Sequence, residues 1–348
     1  MPNAPLLLLV GGFLGAGKTS LLIRSARILA SRGLKTAIIT NDQAEGLVDT
    51  SVASRSADWT DEVAGGCFCC RFDEFAAAAE KLARHKPDII FGEPVGSCTD
   101  LVATVLRPLR ELFATEYRVA PLSVLVDPFR LDELRNGPPD IAYLFQKQME
   151  EADLVCFTKS DLGDVEPTLP IEKPLRFLSA KTGAGVEAWL DEISSGQIAA
   201  GDSSLELDYK RYARAEAALG WLNASVELNL ENPLPPIAAI GPLMDEIDSK
   251  LSEGNAAIAH FKLSDETPSG FLKAAICRNG DEPEIEGDLL SPASSRHHMT
   301  LNLRAQADPE FLRATVEGAL GRMPRQVTIS KLSAFRPAEP KPQYRYGK

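Results

Sequence analysis

The residues from Gly12 to Thr19 have the types and spacing of a phosphate-binding loop. They read G-F-L-G-A-G-K-T and satisfy the pattern G-x-x-x-x-G-K-[ST]. Glycines let backbone N–H groups close around the β- and γ-phosphates of a nucleotide, because no Cβ stands in the way. Lys18 would neutralise the phosphate oxygens, and the Thr19 hydroxyl would bind Mg²⁺. The predicted nucleotide contacts of this loop are Gly12, Gly15, Ala16, Gly17, Lys18, Thr19 and Ser20.

Three cysteines within four residues form a second group that could do chemistry. Cys67, Cys69 and Cys70 follow two glycines. Thiols this close together converge on one soft cation, such as Zn²⁺ or Co²⁺, where the backbone turns. A site with three thiolates and one exchangeable or carboxylate position suits a metal that must later leave. The alternative is a set of reduced thiols or a redox-prone pair.

The segment Glu93-Pro94-Val95-Gly96 has the pattern E-x-x-G, which takes the place of the D-x-x-G of many GTPases. The Glu93 carboxylate would hold the Mg²⁺ shell through water, and the Gly96 N–H would contact the γ-phosphate. Lys18, Thr19, Glu93 and Gly96 are therefore the predicted catalytic residues, unless this segment is an ordinary turn. Cys98 offers another sulfur nearby, although a small buried thiol is the favoured interpretation.

Two further segments predict recognition of guanine. Thr158-Lys159-Ser160-Asp161 resembles the N-K-x-D motif, in which the aspartate accepts hydrogen bonds from guanine N1–H and the exocyclic amine. The Lys159 stem would lie against the base. Thr158 replaces the usual Asn and loses an amide that would help to fix the loop. Ser179, Ala180 and Lys181 match the S-A-K element that braces the base; alternatively, either segment is a solvated turn.

Short apolar runs separated by helical stretches must position these residues. The predicted strands of the first half are Leu6–Val10, Lys35–Thr40, Asp88–Phe91, Leu122–Val126, Leu154–Thr158 and Leu175–Leu178. This order predicts an α/β fold, a P-loop NTPase with a largely parallel, doubly wound sheet. Nucleotide sites in such sheets lie at the carboxyl ends of strands, where the motifs fall.

The second half predicts a smaller α+β domain after a Ser/Gly-rich linker, Ser194–Ser204. Its predicted elements are strand 224–230, helix 242–251, strands 258–263, 272–278 and 299–304, helix 309–320 and strand 326–330, a split β-α-β order. The predicted domains are 1–200, 205–333 and a Pro-rich tail, 334–348. Disorder is the default for that tail, and a partner-docking strand is the alternative. His297 and His298 are adjacent on a strand, so they face opposite sides and cannot easily share a metal.

Charge and composition exclude several classes of protein. The 348 residues include 49 acidic and 37 basic side chains, with no basic stripe for a nucleic-acid backbone. The apolar N-terminal run is too short for a signal peptide or a membrane span, so we expect a cytoplasmic protein without a membrane or nucleic-acid partner. Six cysteines in that compartment predict thiols, metal ligands or redox groups rather than structural disulfides.

Together, the phosphate loop, C-x-C-C, E-x-x-G, altered N-K-x-D and S-A-K resemble the CobW-like family of P-loop GTPases, over about the first 190 residues. The stretch from Asn41 to Asp49 also resembles the family's N-E-F-G-E-x-x-x-D. That resemblance implies a nucleotide-responsive switch with Glu45 and Asp49 as candidate Mg²⁺, metal or interface residues; a solvated loop is the alternative.

The resemblance implies GTP hydrolysis coupled to the handling of zinc or cobalt. The expected protein is a GTPase metallochaperone that takes GTP and Mg²⁺, carries Zn²⁺ or Co²⁺ on its cysteines, and passes the metal to an unidentified client metalloprotein. A P-loop small-molecule kinase and a nucleotide-gated metal or redox sensor without significant turnover are the alternatives. Whether the chain forms a homo-oligomer is open.

Overall fold

The computed structural model describes residues 4–43, 48–164, 172–200, 205–323 and 326–347. These residues form two compact units. The first takes its described residues from Met1–Gln43, Asp49–Ala215 and Glu339–Lys348, and the second from Ala44–Val48 and Glu216–Ala338. Among the residues described, no helix is both long and apolar enough to cross a membrane.

The first unit is built on a parallel sheet. Its strands are β1 (Leu6–Gly12), β2 (Thr36–Asp42), β3 (Trp59–Ala64), β4 (Ile89–Glu93), β5 (Arg118–Val119), β6 (Ser123–Val126), β7 (Leu154–Phe157) and β8 (Leu175–Phe177). They lie in the order β3-β2-β4-β1-β6-β7-β8, and β5 also pairs with β1. Every pairing is parallel, which confirms the predicted sheet.

Helices connect these strands. They are α1 (Lys18–Ser31), α2 (Val48–Ala53), α3 (Phe72–Ala83), α4 (Arg107–Leu112), α5 (Leu131–Asn136), α6 (Pro139–Glu151), α7 (Val186–Ser195) and α8 (Tyr209–Glu216). A π-helical segment, Val102–Leu106, precedes α4, and a 3₁₀ turn, Pro128–Arg130, precedes α5. The phosphate loop therefore joins a central strand to the first helix.

The burial of each strand explains whether it could be predicted from the sequence. Strand β1 is apolar and buried along its whole length, as expected for a parallel strand covered on both faces. Strand β3 lies at the edge of the sheet and reads W-T-D-E-V-A, with five of its six residues only half-buried. Its polar composition hid it from the sequence prediction. This matters because β3 leads directly into the cysteine loop.

The second unit is an antiparallel sheet with two helices. Its elements are β9 (Gly220–Leu234), α9 (Pro236–Glu253), β10 (Ile258–Thr267), β11 (Gly270–Ile276), β12 (Glu284–Gly287), β13 (Ser294–Ala305), α10 (Pro309–Arg322) and β14 (Gln326–Phe335). The strand order is β12-β11-β10-β13-β9-β14. The β10-β13-β9-β14 core confirms the predicted split β-α-β order, and β11 and β12 extend it. Helix α9 begins before Pro242, where the prediction began it, because the first apolar turn packs into the core.

Two smaller expectations have opposite outcomes. His297 is buried and contacts Asp265, whereas His298 is exposed and contacts Glu227, so the two rings do face opposite sides of β13. The expectation of a disordered tail is wrong. Residues 339–347 lie along the first unit, because their backbone N–H groups find acceptors there: Gln343 N–H donates to the Cys69 carbonyl at 2.9 Å.

Candidate functional site

The phosphate loop has the backbone that its glycines predict. Gly12 has φ +133°, and a Cβ at that position would lie 2.5 Å from the Leu125 carbonyl oxygen. Gly17 has φ +87° and immediately precedes α1. The first turn of α1 contains no acidic residue, so its N–H groups and helix dipole favour an anion. Lys18 Nζ donates to the Gly12 carbonyl at 2.8 Å and thus lies over the loop.

Two carboxylates converge on the hydroxyl at the end of this loop. Thr19 Oγ1 lies 2.8 Å from Glu93 Oε1 and 2.9 Å from Asp49 Oδ1. A hydroxyl has one proton, so it cannot satisfy both carboxylate oxygens as a donor. Thr19 and Glu93 are also largely buried. An anionic set of oxygens beside a phosphate loop fits Mg²⁺, which binds through one or two carboxylates and phosphate oxygens. Asp49 thus joins Thr19 and Glu93 as a candidate residue.

The segments predicted to bind the base lie together. Ser179 Oγ donates to Asp161 Oδ1 at 2.5 Å and accepts the Thr182 N–H at 3.0 Å, which orients the aspartate. Thr158 Oγ1 lies 2.9 Å from the Ala16 carbonyl oxygen in the phosphate loop. Thr158 lacks the amide of the usual Asn, and its hydroxyl instead ties this loop to the phosphate loop.

The remaining positions of these segments have structural partners. Lys159 has φ +57°, and its Nζ lies 3.1 Å from Asp127 Oδ2. Arg24 donates to the carbonyl oxygens of Ala180 and Lys181 and so fixes that turn to α1. The Lys181 side chain is exposed. The strand-end loops are thus bonded to one another and to α1.

The Asn41 side chain fixes the start of the cysteine loop. Its Nδ2 donates to the carbonyls of Val63 at 2.8 Å and Gly66 at 2.7 Å. Its Oδ1 accepts the Phe68 N–H at 3.0 Å. The amide therefore ties the end of β2 to the end of β3 and to the cysteine loop. Sequence reasoning grouped Asn41 with the switch but missed this contact, because it depends on strand pairing.

The three cysteines of the C-x-C-C motif form one cluster. The Cys67 sulfur lies 2.7 Å from Cys69 Sγ and 3.2 Å from Cys70 Sγ, and the latter two lie 3.7 Å apart. In the part of the chain that the structure describes, this is the group of side chains suited to hold a metal ion. Sulfurs on a tetrahedral zinc are about 3.8 Å apart, so small outward movements would complete the coordination.

Hydrogen bonds divide the protons unequally within the cluster. Hydrogen bonding with Cys69, Cys70 and Cys98 holds the pKa of Cys67 well below its usual range. The hydrogen bond to Cys67 raises the pKa of Cys69 well above its usual range and that of Cys70 to about 11. Coordination of a metal by these sulfurs releases the protons that they carry.

Cys98 connects this cluster to the E-x-x-G segment. Cys98 is a buried free thiol, as the sequence favoured, and its interaction with Cys67 lowers the pKa of Cys67. The backbone around it is held by Gln148, whose Nε2 donates to the carbonyls of Gly96 at 3.0 Å and Cys98 at 2.9 Å. Gly96 packs so tightly on the phosphate loop that a Cβ there would lie 2.9 Å from Leu14 N.

One predicted residue and one missed residue complete the site. Glu45 lies outside the described residues. Arg130, which the sequence did not single out, is buried and donates to the Leu14 carbonyl in the phosphate loop at 2.9 Å. It also forms an ion pair with Glu133. Its position just after a strand that ends near the loop is the signal that could have identified it.

Known proteins are similar to this chain over residues of the first unit. Residues 6–178 match the family described as CobW/HypB/UreG, nucleotide-binding domain. The zinc chaperone YjiA of Escherichia coli (strain K12) is 32% identical over 167 residues, 45% of this chain and 50% of the relative. The zinc-regulated GTPase metalloprotein activator 1 of Schizosaccharomyces pombe is 28% identical over 162 residues, 43% of this chain and 38% of the relative.

The chain therefore spans half or less of the length of these curated relatives. Among solved structures, Zn(II)-bound YjiA GTPase from E. coli aligns with 91% of this chain and 99% of its own, at 18% identity and a TM-score of 0.39.

Proposed function

Because residues 6–178 belong to the CobW/HypB/UreG family of nucleotide-binding domains, we propose that this protein is a GTP-hydrolysing metallochaperone. It carries a thiophilic divalent metal, Zn²⁺ or Co²⁺, on the cysteine cluster and couples transfer of that metal to GTP binding and hydrolysis. The YjiA relative is named a zinc chaperone, which favours zinc as the cargo. The recipient is a client metalloprotein.

The ends of strands β2 and β4 support this proposal, because each contributes both to the nucleotide site and to the cysteine cluster. The end of β2 holds the cysteine loop through Asn41, and the chain beyond it reaches Thr19 through Asp49. The end of β4 reaches Thr19 through Glu93, and the chain beyond it reaches Cys67 through Cys98. A change in the Mg²⁺–phosphate shell thus acts on segments that also position the sulfurs.

The proposed roles follow from these positions. The phosphate loop from Gly12 to Ser20 and the N-terminus of α1 hold the triphosphate, while Lys18 neutralises its oxygens. Thr19, Glu93 and Asp49 hold Mg²⁺. The Gly96 N–H contacts the γ-phosphate. Positioning and charge neutralisation account for catalysis of phosphoryl transfer, which needs no dedicated general base.

Asp161, oriented by Ser179, reads guanine through the donors at N1 and the exocyclic amine. This contact separates the proposal from a small-molecule kinase that need not prefer guanine. Cys67, Cys69 and Cys70 are the proposed metal ligands. Cys98 lies outside that group but interacts with Cys67, so we propose it as a further sulfur to be tested. Six free thiols fit a reducing compartment, so we place the protein in the cytoplasm.

A Co²⁺ titration of reduced protein, with and without a non-hydrolysable GTP analogue, tests the proposal. Thiolate-to-Co²⁺ charge-transfer absorption reports sulfur ligands directly. We expect tight binding whose affinity changes with the nucleotide and is lost in Cys69→Ser. The matched control is Cys277→Ser, which changes a buried cysteine of the second unit and leaves binding unaltered. Cys98→Ser tests the further sulfur, because loss of one ligand lowers the charge-transfer intensity.

Weak Co²⁺ binding, or binding indifferent to both Cys69→Ser and nucleotide, would overturn the metallochaperone proposal. Turnover gives the second criterion. We expect hydrolysis of GTP in preference to ATP, with a rate that responds to bound Zn²⁺. Nucleotide-dependent metal affinity without turnover would indicate a sensor instead.

A further inference from the structure

Residues 339–347 form a segment, here called the strap, that lies on the first unit. Exposure alternates along it: Pro340 is buried and Tyr344 half-buried, whereas Lys341, Gln343 and Arg345 are exposed. Every second side chain of these residues thus lies against the first unit. The strap is therefore seated on the unit that contains the cysteine cluster.

Two backbone N–H groups of the strap point at the cysteine loop. Lys341 N–H donates to Cys70 Sγ at 3.1 Å, and Gln343 N–H donates to the Cys69 carbonyl at 2.9 Å. Pro340 and Pro342 flank Lys341 and have no N–H. The sequence Pro-Lys-Pro thus presents a single backbone donor, and the fold places it on a sulfur of the cluster.

Side chains fix the strap to the helix that follows the cysteine loop. Gln343 accepts the Asp73 N–H through Oε1 at 2.9 Å. The Tyr344 ring packs edge-on against Phe72, with ring centroids 5.1 Å apart. These contacts hold the Lys341 donor in place without using the Lys341 side chain.

Further along the strap, Arg345 binds the segment that follows E-x-x-G. Its Nε lies 2.8 Å from Asp100 Oδ2, which also accepts the Tyr209 hydroxyl at 2.6 Å. Asp100 lies two residues beyond Cys98 in the sequence. The strap is therefore bonded both to the cysteine loop and to the segment that follows Glu93 and Cys98.

The strap lies beside the most exposed sulfur of the cluster. Cys70 is half-buried, whereas Cys67 and Cys69 are 2% and 1% exposed, so Cys70 is the open side of the cluster. A hydrogen bond donated to a metal-ligating sulfur orients that ligand and tunes the metal. We propose that the strap retains the metal: the Lys341 N–H holds Cys70 on the ion, and metal leaves when the strap lifts. This inference rests on the proposed function.

Two substitutions at Lys341 separate the effect of its backbone N–H from that of its side chain. Lys341→Pro removes the N–H and keeps an extended backbone, whereas Lys341→Ala keeps the N–H and removes the side chain. Proteins loaded with Zn²⁺ are mixed with an excess of a chromogenic chelator, and the rate of transfer is followed. We expect Lys341→Pro to release Zn²⁺ about tenfold faster than wild type, as loss of a hydrogen bond to a charged acceptor implies, and Lys341→Ala to release it at the wild-type rate.

A chain ending at Ala338 provides the second variant. It lacks the strap, so its release rate should equal or exceed that of Lys341→Pro, and thermal unfolding of the metal-free protein checks that it folds. Wild-type release rates in both Lys341→Pro and the shortened chain would overturn the inference and leave the metallochaperone proposal standing. Equal acceleration in Lys341→Ala and Lys341→Pro would also overturn it, because the side chain would then be responsible. Failure of the wild-type protein to show Co²⁺–thiolate absorption would overturn the proposed function and the inference with it.

Discussion

A buried carboxyl behind the E-x-x-G segment gives the protein a predictable pH dependence of stability. Glu151 ends α6, is 1% exposed, accepts the Thr99 hydroxyl at 3.0 Å and accepts the Val102 N–H at 3.3 Å. Burial, with a smaller contribution from the charge of Asp100, raises the pKa of Glu151 from 4.5 to about 8. The native protein therefore keeps this carboxyl protonated at neutral pH.

The change we propose is Glu151→Gln, which fixes the neutral form in nearly the same shape. Between pH 4.5 and 8 the native wild-type chain binds one proton more at this carboxyl than the unfolded chain does. The stabilisation from this carboxyl is complete below pH 4.5 and is lost as pH rises through 8. The amide of the variant does not titrate. The free energy of unfolding of wild type should therefore fall by roughly 3 kcal/mol relative to that of Glu151→Gln between pH 5 and pH 8.

Urea denaturation of metal-free, reduced protein across this pH range measures the effect. The matched control is Glu150→Gln, the neighbouring residue on α6, whose side chain is 32% exposed and contacts Lys147. It makes the same carboxyl-to-amide replacement at a half-exposed position, so its difference from wild type should vary little with pH. The reasoning is refuted if the Glu151→Gln difference stays flat from pH 5 to pH 8, or if Glu150→Gln produces the same slope.

Two further predictions concern the nucleotide site. Gly12→Ala should lower the free energy of unfolding by about 2–4 kcal/mol in urea denaturation, because its Cβ would meet the Leu125 carbonyl oxygen at 2.5 Å and its φ is +133°. Gly33→Ala, with φ +76° and open space around the Cβ, should cost only about 1 kcal/mol; equal losses would contradict the steric argument. Asp161→Asn should weaken GTP binding at least tenfold, by roughly 1.4 kcal/mol, and strengthen xanthosine triphosphate binding, since an amide donates to the carbonyl that replaces the guanine amine. Calorimetric titration with both nucleotides checks this, and unchanged selectivity would show that Asp161 does not face the base.

The sequence by itself determined the elements that depend only on residues close together along the chain. Strand β1 is a continuous apolar run, and the glycines at positions 12 and 17 supply backbone conformations that L side chains rarely adopt. The alternation of strands and helices predicted the parallel sheet, and the carboxyl ends of its strands predicted where the motifs meet. The spacing of Cys67, Cys69 and Cys70 predicted a cluster because a single turn of chain brings neighbouring side chains together.

Only the tertiary structure decided the contacts between residues that are distant along the chain. The Asn41 amide reaches the cysteine loop because β2 pairs with β3, an edge strand too polar to be recognised. Cys98, 28 residues or more from the three clustered cysteines, interacts with Cys67. Lys341 lies 271 residues from the sulfur that its N–H contacts, and no local pattern predicts such a pairing. Backbone donors have no side-chain signature, so their partners are fixed by the path of the folded chain and cannot be read from residue types.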